Sequence, residues 1–94
     1  MKPYTCTLVY EDNTEHLASV KGDIIEPMTI EELELNYLNR YCQMKFQDGE
    51  VAEGWIMLNR PEFNGDWYHR YTLLQAHGAK TTFNLIHIKE VRAL

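Results

Sequence analysis

The sequence predicts an α+β fold: a small five-stranded β-barrel of the SH3-like or Sm-like type, preceded by an N-terminal β-hairpin and one α-helix. Three observations predict this fold. Large apolar residues alternate with smaller ones near the N-terminus, a helix-capping pattern follows at Thr29, and strand-like runs at hairpin spacing fill the chain from Tyr41 onward. That succession of short strands is typical of small barrels.

The first 23 residues predict the β-hairpin. Residues 4–10 have the period-two pattern of a half-buried strand and are rich in β-forming side chains. Polar residues at 11–14 interrupt the pattern, which lets residues 17–20 return antiparallel. Residues 21–23, Lys-Gly-Asp, then turn the chain again.

The next predicted element is a helix over residues 30–39. Thr29 is a typical N-cap, and Glu32 three residues later completes a capping box. Met28 and Leu33 occupy the two positions of a hydrophobic staple around this cap. An apolar stripe at helical spacing follows, formed by Ile30, Leu33, Tyr37, Leu38 and Tyr41.

After the helix the period changes to two. Residues 42–47 alternate, so that Cys42, Met44 and Phe46 share one face of a strand. The Asp-Gly pair at 48–49 is the strongest hairpin signal in the chain, and a partner strand over residues 51–58 returns from it. The glycine at position 54 predicts a bulge or bend inside that strand.

The remaining residues complete the predicted barrel. The expected elements are a loop at 59–66, a strand at 67–75, a turn at 76–79, a strand at 80–84, a single helical turn at 85–87, and a closing strand at 88–94 in which Ile88, Glu90, Arg92 and Leu94 share one face. We expect residues 1–94 to form one domain, in which residues 1–40 pack on the barrel of residues 41–94, because 40 residues hardly bury a core of their own.

Composition excludes several classes of function. The net charge of −5 disfavours non-specific binding to nucleic acid and to anionic membranes. The longest apolar run, residues 55–58, is far shorter than the roughly 20 residues that span a bilayer. The first residues lead into no signal-peptide core. We therefore expect a cytoplasmic protein that has no membrane contact.

Motifs for catalysis, metal ions and cofactors are missing from the sequence. Cys6 and Cys42 form no Cys-x-x-Cys pair and are expected to be reduced and buried. The four histidines have no metal-binding spacing, and the one serine, Ser19, has no nucleophile elbow around it. We expect a protein that is not an enzyme and holds no metal or cofactor.

The last 29 residues contain a pattern that resembles a known family. Asp66-Trp67-Tyr68 opens a strand, and T-F-x-L-x-x-I at residues 82–88 leads into the last strand with Val91. This pattern resembles the WYL domain, a Sm-like barrel of bacterial transcriptional regulators and some defence-associated proteins. The resemblance covers about residues 41–94 and implies a barrel that senses a ligand or nucleic acid. The departures from the family are His69 at the position of its namesake leucine, and Thr81, Asn84 and His87 where ligand-facing arginines are usual. The resemblance therefore supports the barrel more than it supports sensing.

Charge is unevenly distributed along the chain. Residues 11–34 hold eight acidic residues against Lys21 alone, a local charge of −7, whereas residues 51–94 have a charge of +1. One interpretation is ordinary solvation, since acids also suit a helix N-terminus. The other is an acidic face that docks a basic surface. The candidate partner-binding residues of this face are Glu11, Asp12, Glu15, Glu31, Glu32 and Glu34.

A second candidate binding site is the aromatic loop at residues 60–70. It interleaves aromatic residues and arginines, the residue types that dominate interface hot spots. The candidate residues are Arg60, Phe63, Trp67, Tyr68 and Arg70. In the alternative interpretation, Trp67 points into the barrel core. Stacking on single-stranded bases is also compatible with this composition but is disfavoured by the net charge.

We therefore expect a small acidic non-enzymatic protein that binds another macromolecule, most simply a protein with a basic surface, as an inhibitor or regulator. Phage and mobile elements encode inhibitors of this type, anti-CRISPR proteins among them. The alternatives are a WYL-like sensing barrel and an unrecognised small enzyme or metalloprotein whose site assembles only in space. Exposed edge strands in a small barrel also favour a homodimer.

Overall fold

The computed structural model describes residues 4–59 and 69–94. Within these ranges the fold consists of two antiparallel sheets and one helix, with the strand orders β1-β2-β3 and β7-β6-β5-β4-β8. In chain order the elements are β1 (Tyr4–Val9), β2 (Glu15–Lys21), β3 (Ile24–Pro27), α1 (Ile30–Tyr37), β4 (Tyr41–Phe46), β5 (Val51–Leu58), β6 (Tyr71–Leu74), β7 (Lys80–Phe83), a 3₁₀ turn (Leu85–His87) and β8 (Ile88–Ala93). The structure is thus mostly β with a single described helix, and none of its described helices has the length and apolar composition needed to cross a bilayer.

The five-stranded sheet is open in the described residues, so it does not close into a barrel. β7 and β8 are its two edges, and no pairing joins them in the described residues. The N-terminal sheet lies against β8 instead. The hydroxyl of Thr5 donates to the carbonyl oxygen of Val91 (3.2 Å), and that of Thr7 donates to the carbonyl oxygen of Lys89 (3.4 Å). The edge that a closed barrel would pair with β7 is therefore covered by β1.

The N-terminal hairpin has a third strand that the sequence did not predict. β3 pairs antiparallel with β2, with Ser19 opposite Glu26. All four residues of β3 are exposed and its last residue is Pro27. A strand without a buried face has no alternation for a pattern to detect. The turn predicted at residues 21–23 is confirmed, since Gly22 has a positive φ of 61° between the two strands.

Helix α1 begins at the predicted residue. The Thr29 hydroxyl accepts a hydrogen bond from the backbone N–H of Glu32 (3.1 Å), and Met28 and Leu33 are both buried, as the staple predicts. The helix ends at Tyr37, two residues earlier than expected, because Leu38 is extended and Asn39 adopts a positive φ of 62°. Of the apolar stripe, Ile30 is exposed rather than buried.

The core lies between the inner face of the five-stranded sheet and the N-terminal elements. The buried cluster contains Leu17, Met28, Leu33, Tyr37, Cys42, Met44, Phe46, Ile56, Tyr71, Leu73, Phe83, Ile88 and Val91. The alternation predicted for β4 is confirmed, and β5 has the predicted bounds. Residues from both halves of the chain share this cluster, so the N-terminal elements and the five-stranded sheet have a common core in the described residues.

Two predictions about strand irregularity need correction. The register of β4 and β5 runs without a shift through the pair Cys42 and Gly54, so Gly54 is not a bulge. The shift occurs between β4 and β8, where Phe46 pairs with Ile88 but Lys45 pairs with Glu90. The sequence pattern places Ile88 and Val91 on opposite faces of β8. One extra residue in β8 interrupts the alternation between them, so both side chains are buried.

The strand predicted at residues 67–75 is shorter than expected. It begins at Tyr71, while residues 69–70 are not in a strand and residues 67–68 lie outside the described residues, as does most of the loop predicted at 59–66. The turn at residues 76–79 and the helical turn at residues 85–87 are confirmed.

Candidate functional site

Most of the predicted aromatic loop, namely Arg60, Phe63, Trp67 and Tyr68, lies outside the described residues. Arg70 is described, and its guanidinium contacts another part of the chain. Its Nε donates to Glu34 Oε1 at 2.8 Å, and the Tyr71 hydroxyl donates to the same oxygen at 3.0 Å. The hydrogen bond from Arg70 holds the pKa of Glu34 below its usual value, while burial, reinforced by Glu34, raises the pKa of Tyr71 to about 12. Arg70 therefore joins β6 to the helix.

Three of the six predicted acidic partner-binding residues form ion pairs within the chain. Glu34 pairs with Arg70 as above, Glu15 lies 3.2 Å from Lys89 Nζ, and Glu32 lies 3.3 Å from Lys21 Nζ. Two of the three cations come from the C-terminal half. The fold therefore places part of the positive charge of that half next to the acidic segment, and the charge of −7 counted along the sequence overstates the field at the surface.

The six acidic residues are also not gathered on one face. Glu11 and Asp12 occupy the β1–β2 turn, where Asp12 accepts hydrogen bonds from Thr14, chiefly from its hydroxyl, and these lower the pKa of Asp12. Glu32 instead pairs with Lys21, at the end of β2 that lies away from this turn, and Glu34 pairs with Arg70. Glu32 and Glu34 are themselves about 200° apart around the helix. Glu31 is exposed between them.

A different surface has the composition of a binding site: the outer face of the five-stranded sheet, opposite the core. In β5 the inward positions are Gly54 and Ile56, which are buried, so Trp55 and Met57 point outward. Trp55 is 48% exposed and Met57 is 43% exposed. These are large apolar side chains in the middle of a sheet rather than at its margin.

The outer face is organised in rows across the strands. The first, which we call the aromatic row, contains Tyr41, Trp55 and Leu74, which are register partners on β4, β5 and β6. The rings of Tyr41 and Trp55 meet edge to face, with centroids 5.6 Å apart. The two rings therefore hold each other in place while Trp55 remains half exposed.

A polar row lies beside the aromatic row. Arg92 on β8 donates to the side-chain oxygen of Gln43 on β4, and the Gln43 amide donates to Glu53 on β5 at 3.4 Å. The hydrogen bonds run across three strands and fix these side chains on the surface. The two charged ends give this row both a positive and a negative group next to the aromatic rings.

The third row contains Met57, Thr72 and Thr82. Thr72 is buried and donates to Asn59 Oδ1 at 2.6 Å, and Thr82 forms a 2.8 Å hydrogen bond with His69 Nδ1. This side of the aromatic row is therefore polar as well. Trp55 lies between two hydrogen-bonded rows.

Sequence reasoning missed the aromatic row because both phases of residues 55–58 are apolar. Alternation alone does not tell which side faces the core. A usable signal was present in the hairpin: the turn at residues 48–49 places Met44 opposite Ala52 and Cys42 opposite Gly54. Once the even residues of β4 are assigned to the core, this register predicts that Trp55 faces outward.

Groups for catalysis or metal binding are sparse in the described residues. His69 and His87 meet edge to face at 5.4 Å between ring centroids, but His87 Nδ1 accepts from the backbone N–H of Asn84 at 2.9 Å. Burial raises the pKa of the Cys42 thiol to about 11, so it is not a nucleophile near neutral pH. Nowhere in residues 4–59 and 69–94 do three His, Cys, Asp or Glu side chains group in a way that could hold a metal ion.

The outer face is therefore the surface on which the described residues concentrate binding chemistry. It offers an exposed Trp, ordered by a neighbouring Tyr and flanked by polar side chains that are fixed by hydrogen bonds. Such composition is typical of the anchors of protein interfaces. The chain matches no protein-family model, no curated protein and no solved structure.

Proposed function

We propose that this protein is a non-enzymatic binding protein, which docks another protein through the outer face of its five-stranded sheet and acts as an inhibitor or regulator of that partner. The observation that carries the proposal is the half-exposed Trp55 packed edge-on against Tyr41. Trp and Tyr are the side chains most enriched among residues that contribute strongly to binding.

The order of the aromatic row supports this proposal energetically. A side chain that becomes fixed on binding costs about 0.5–1.5 kcal/mol of conformational entropy. Trp55 lies on a central strand, and its ring is in contact with Tyr41 before any partner arrives. Much of that cost is therefore met during folding, and burial of the exposed half of Trp55 contributes to affinity.

The charges around the aromatic row bear on the kind of partner. Arg92 and Lys45 are matched by Glu53 and Glu90 on the same side of the sheet. This mixed rim fits an ordinary protein surface better than a polyanion, because nucleic acid binding needs an excess of cations. The partner with a basic surface, predicted from the acidic segment, would use a different part of the molecule and stays a prediction.

The test is affinity capture of a partner with tagged wild-type protein and three variants. Trp55→Thr removes the aromatic anchor and keeps a good strand former, and we expect it to lose the partner. Leu35→Ser changes an exposed apolar residue on the helix and serves as the matched control, which should retain the partner. Capture by Trp55→Thr at the wild-type level, from protein with an unchanged circular dichroism spectrum, would refute the proposal.

The third variant separates the acidic segment from the outer face. Glu31→Lys reverses an exposed acid that forms no ion pair among the described residues, so it changes charge without breaking the fold. Loss of the partner in this variant alone would favour the acidic segment as the docking surface. Sedimentation of the wild type and Trp55→Thr at several concentrations tests the predicted homodimer in the same series.

A WYL-like sensing role is the second candidate function, and it rests on the sequence resemblance. At the positions where that family has ligand-facing arginines, Asn84 accepts from the backbone N–H of Arg70 at 2.7 Å and His87 accepts from Asn84. These side chains bind within the chain, which weakens the case for nucleotides. A nucleotide that raises the melting temperature would support this role.

A further inference from the structure

A groove of about 530 Å³ lies where β1 meets the edge of the five-stranded sheet. Its walls include Thr5 and Thr7 of β1, Lys45 and Val51 of the β4–β5 hairpin, and Glu90 and Arg92 of β8. The volume falls within the range of small-molecule sites in proteins, roughly 300–1,000 Å³. The groove shares Gln43 and Arg92 with the polar row but contains no residue of the aromatic row that carries the proposed function.

The groove exists because the two sheets do not join. No backbone ladder links β1 to β8 in the described part of the chain; the links are the hydroxyls of Thr5 and Thr7, which donate to β8 carbonyl oxygens. A link through a side chain separates two strands by more than the approximately 4.8 Å of a ladder. The extra residue of β8 opposite Lys45 adds a local irregularity at the same place.

The charges of the groove favour an anion. Among the described residues Lys45 has no carboxylate within ion-pair distance, although Glu90 is its register partner on β8. Arg92 is hydrogen-bonded to the neutral amide of Gln43, and Glu53, which balances its charge on the outer face, accepts from Gln43 and does not line the groove. The groove thus holds two cations against the one carboxylate of Glu90. The single carboxylate disfavours a ligand with two or more negative charges.

The apolar part of the lining favours an organic ligand. Val51 is exposed next to Lys45, whereas Met44 and Val91 belong to the buried core behind the groove. Burial of a ligand's apolar surface against the exposed Val51 side chain stabilises the complex. We propose that this groove binds a small organic monocarboxylate, with the carboxylate directed toward Lys45 and Arg92 and the apolar part against Val51.

The test is a titration of ¹⁵N-labelled protein, followed by amide chemical shifts, with hexanoate and phenylacetate and with their primary amides as matched neutral probes. We expect saturable shifts at residues 5–7, 45 and 90–92 with the carboxylates and none with the amides. Lys45→Met should weaken binding at least about tenfold, the loss expected for one hydrogen bond to a charged group. Lys45→Arg should retain binding, which shows that the substituted strand still folds.

The control variant is Lys80→Met. Lys80 is an exposed lysine on the same sheet, on β7 and outside the groove, so its loss should leave carboxylate binding unchanged. Equal shifts with acids and amides, no saturable shift with either carboxylate, or unchanged affinity in Lys45→Met would each overturn the proposal. None of these results bears on the Trp55→Thr capture experiment, so the two proposals fail separately.

Discussion

The substitution Gly54→Ala tests how closely β5 packs against β6, because at this position the effect of the new methyl group on packing is not mixed with backbone strain. The glycines with positive φ in the described residues are Gly22, Gly49 and Gly78, and Gly54 is not among them. At ordinary strand angles a Gly→Ala change stabilises a protein by about 0.4–1 kcal/mol, because the unfolded chain loses conformational freedom. Any destabilisation at position 54 must therefore come from contacts.

The structure predicts a severe contact. A Cβ atom on residue 54 would lie 2.8 Å from the carbonyl carbon of Leu74, with the carbonyl oxygen closer still, and 3.1 Å from Leu73 Cγ. Carbon atoms pack at about 3.5–4.0 Å, so the shortfall to Leu74 is about 0.7 Å. Because the obstacle is backbone, relief requires β6 to shift against β5. Overpacking of this kind costs about 1–3 kcal/mol. After subtraction of the gain of about 0.4–1 kcal/mol from the unfolded chain, we expect a net loss of about 1–2 kcal/mol.

The assay is urea unfolding monitored by far-ultraviolet circular dichroism, with the free energy of unfolding taken by linear extrapolation. Gly78→Ala is the matched control, since that position has open space but a φ of 93°, and it should lose about 1–2 kcal/mol through backbone strain alone. A free energy of unfolding for Gly54→Ala within about 0.5 kcal/mol of the wild type would show that β5 and β6 are farther apart than described.

Two further predictions concern pH. Arg70 lowers the pKa of Glu34 in the folded protein. The ionised Glu34 carboxylate therefore stabilises the fold at pH values above 4.5, its pKa in the unfolded chain, and this stabilisation is lost as the pH falls through the lower pKa of the folded state. The melting temperature of Glu34→Gln should therefore fall less than that of the wild type between pH 5 and pH 3; equal slopes would contradict the ion pair. Burial raises the pKa of Cys42 from 9.0 to about 11, so the neutral thiol stabilises the fold below pH 9 and this contribution is lost as the pH rises toward 11. The melting temperature of Cys42→Ala should therefore fall less than that of the wild type between pH 9 and about pH 10, a range below that in which ionisation of Tyr71 also affects stability. A fall as steep as that of the wild type would count against a buried thiol.

The elements that sequence reasoning predicted correctly are those whose cause is local. Thr29 and Glu32 are three residues apart, and their hydrogen bond fixes the start of the helix whatever surrounds it. The turn at residues 48–49 likewise depends on its own residues: Gly49 adopts a φ of 91° and Glu50 N–H donates to Asp48 Oδ1. Such features need no knowledge of the rest of the fold.

The features that were missed depend on partners distant in the chain. β3 is a strand only because β2 offers it an edge, and the sheet stays open because Thr5 and Thr7 reach β8 across more than 80 residues. The need for glycine at position 54 comes from the backbone of Leu74. Alternation and turn signals predict elements, but they carry no information about which edges meet.

The same limit applies to the candidate binding residues. The sequence places Glu15 and Glu34 in an acidic segment, and the ion pairs with Lys89 and Arg70 become visible only when the chain is folded. Charge counted along a sequence therefore predicts a docking face well only if the opposite charges of the chain lie elsewhere. In this protein Lys89 and Arg70 lie next to two of these acids, and the proposed function therefore depends on an uncharged aromatic ring instead.

Arg92 connects the two proposed sites. It lines the groove and, through its hydrogen bond to Gln43, it also holds the polar row beside Trp55. A carboxylate that takes the Arg92 N–H now bonded to Gln43 would release that amide, and this release would change the rim of the outer face. If the carboxylate changes the affinity of this protein for its partner by some factor, the partner must change the affinity for the carboxylate by the same factor, because the two binding free energies are linked. Gln43→Ala removes the shared hydrogen bond and, on this reasoning, should uncouple the two sites while leaving Lys45 and Trp55 in place.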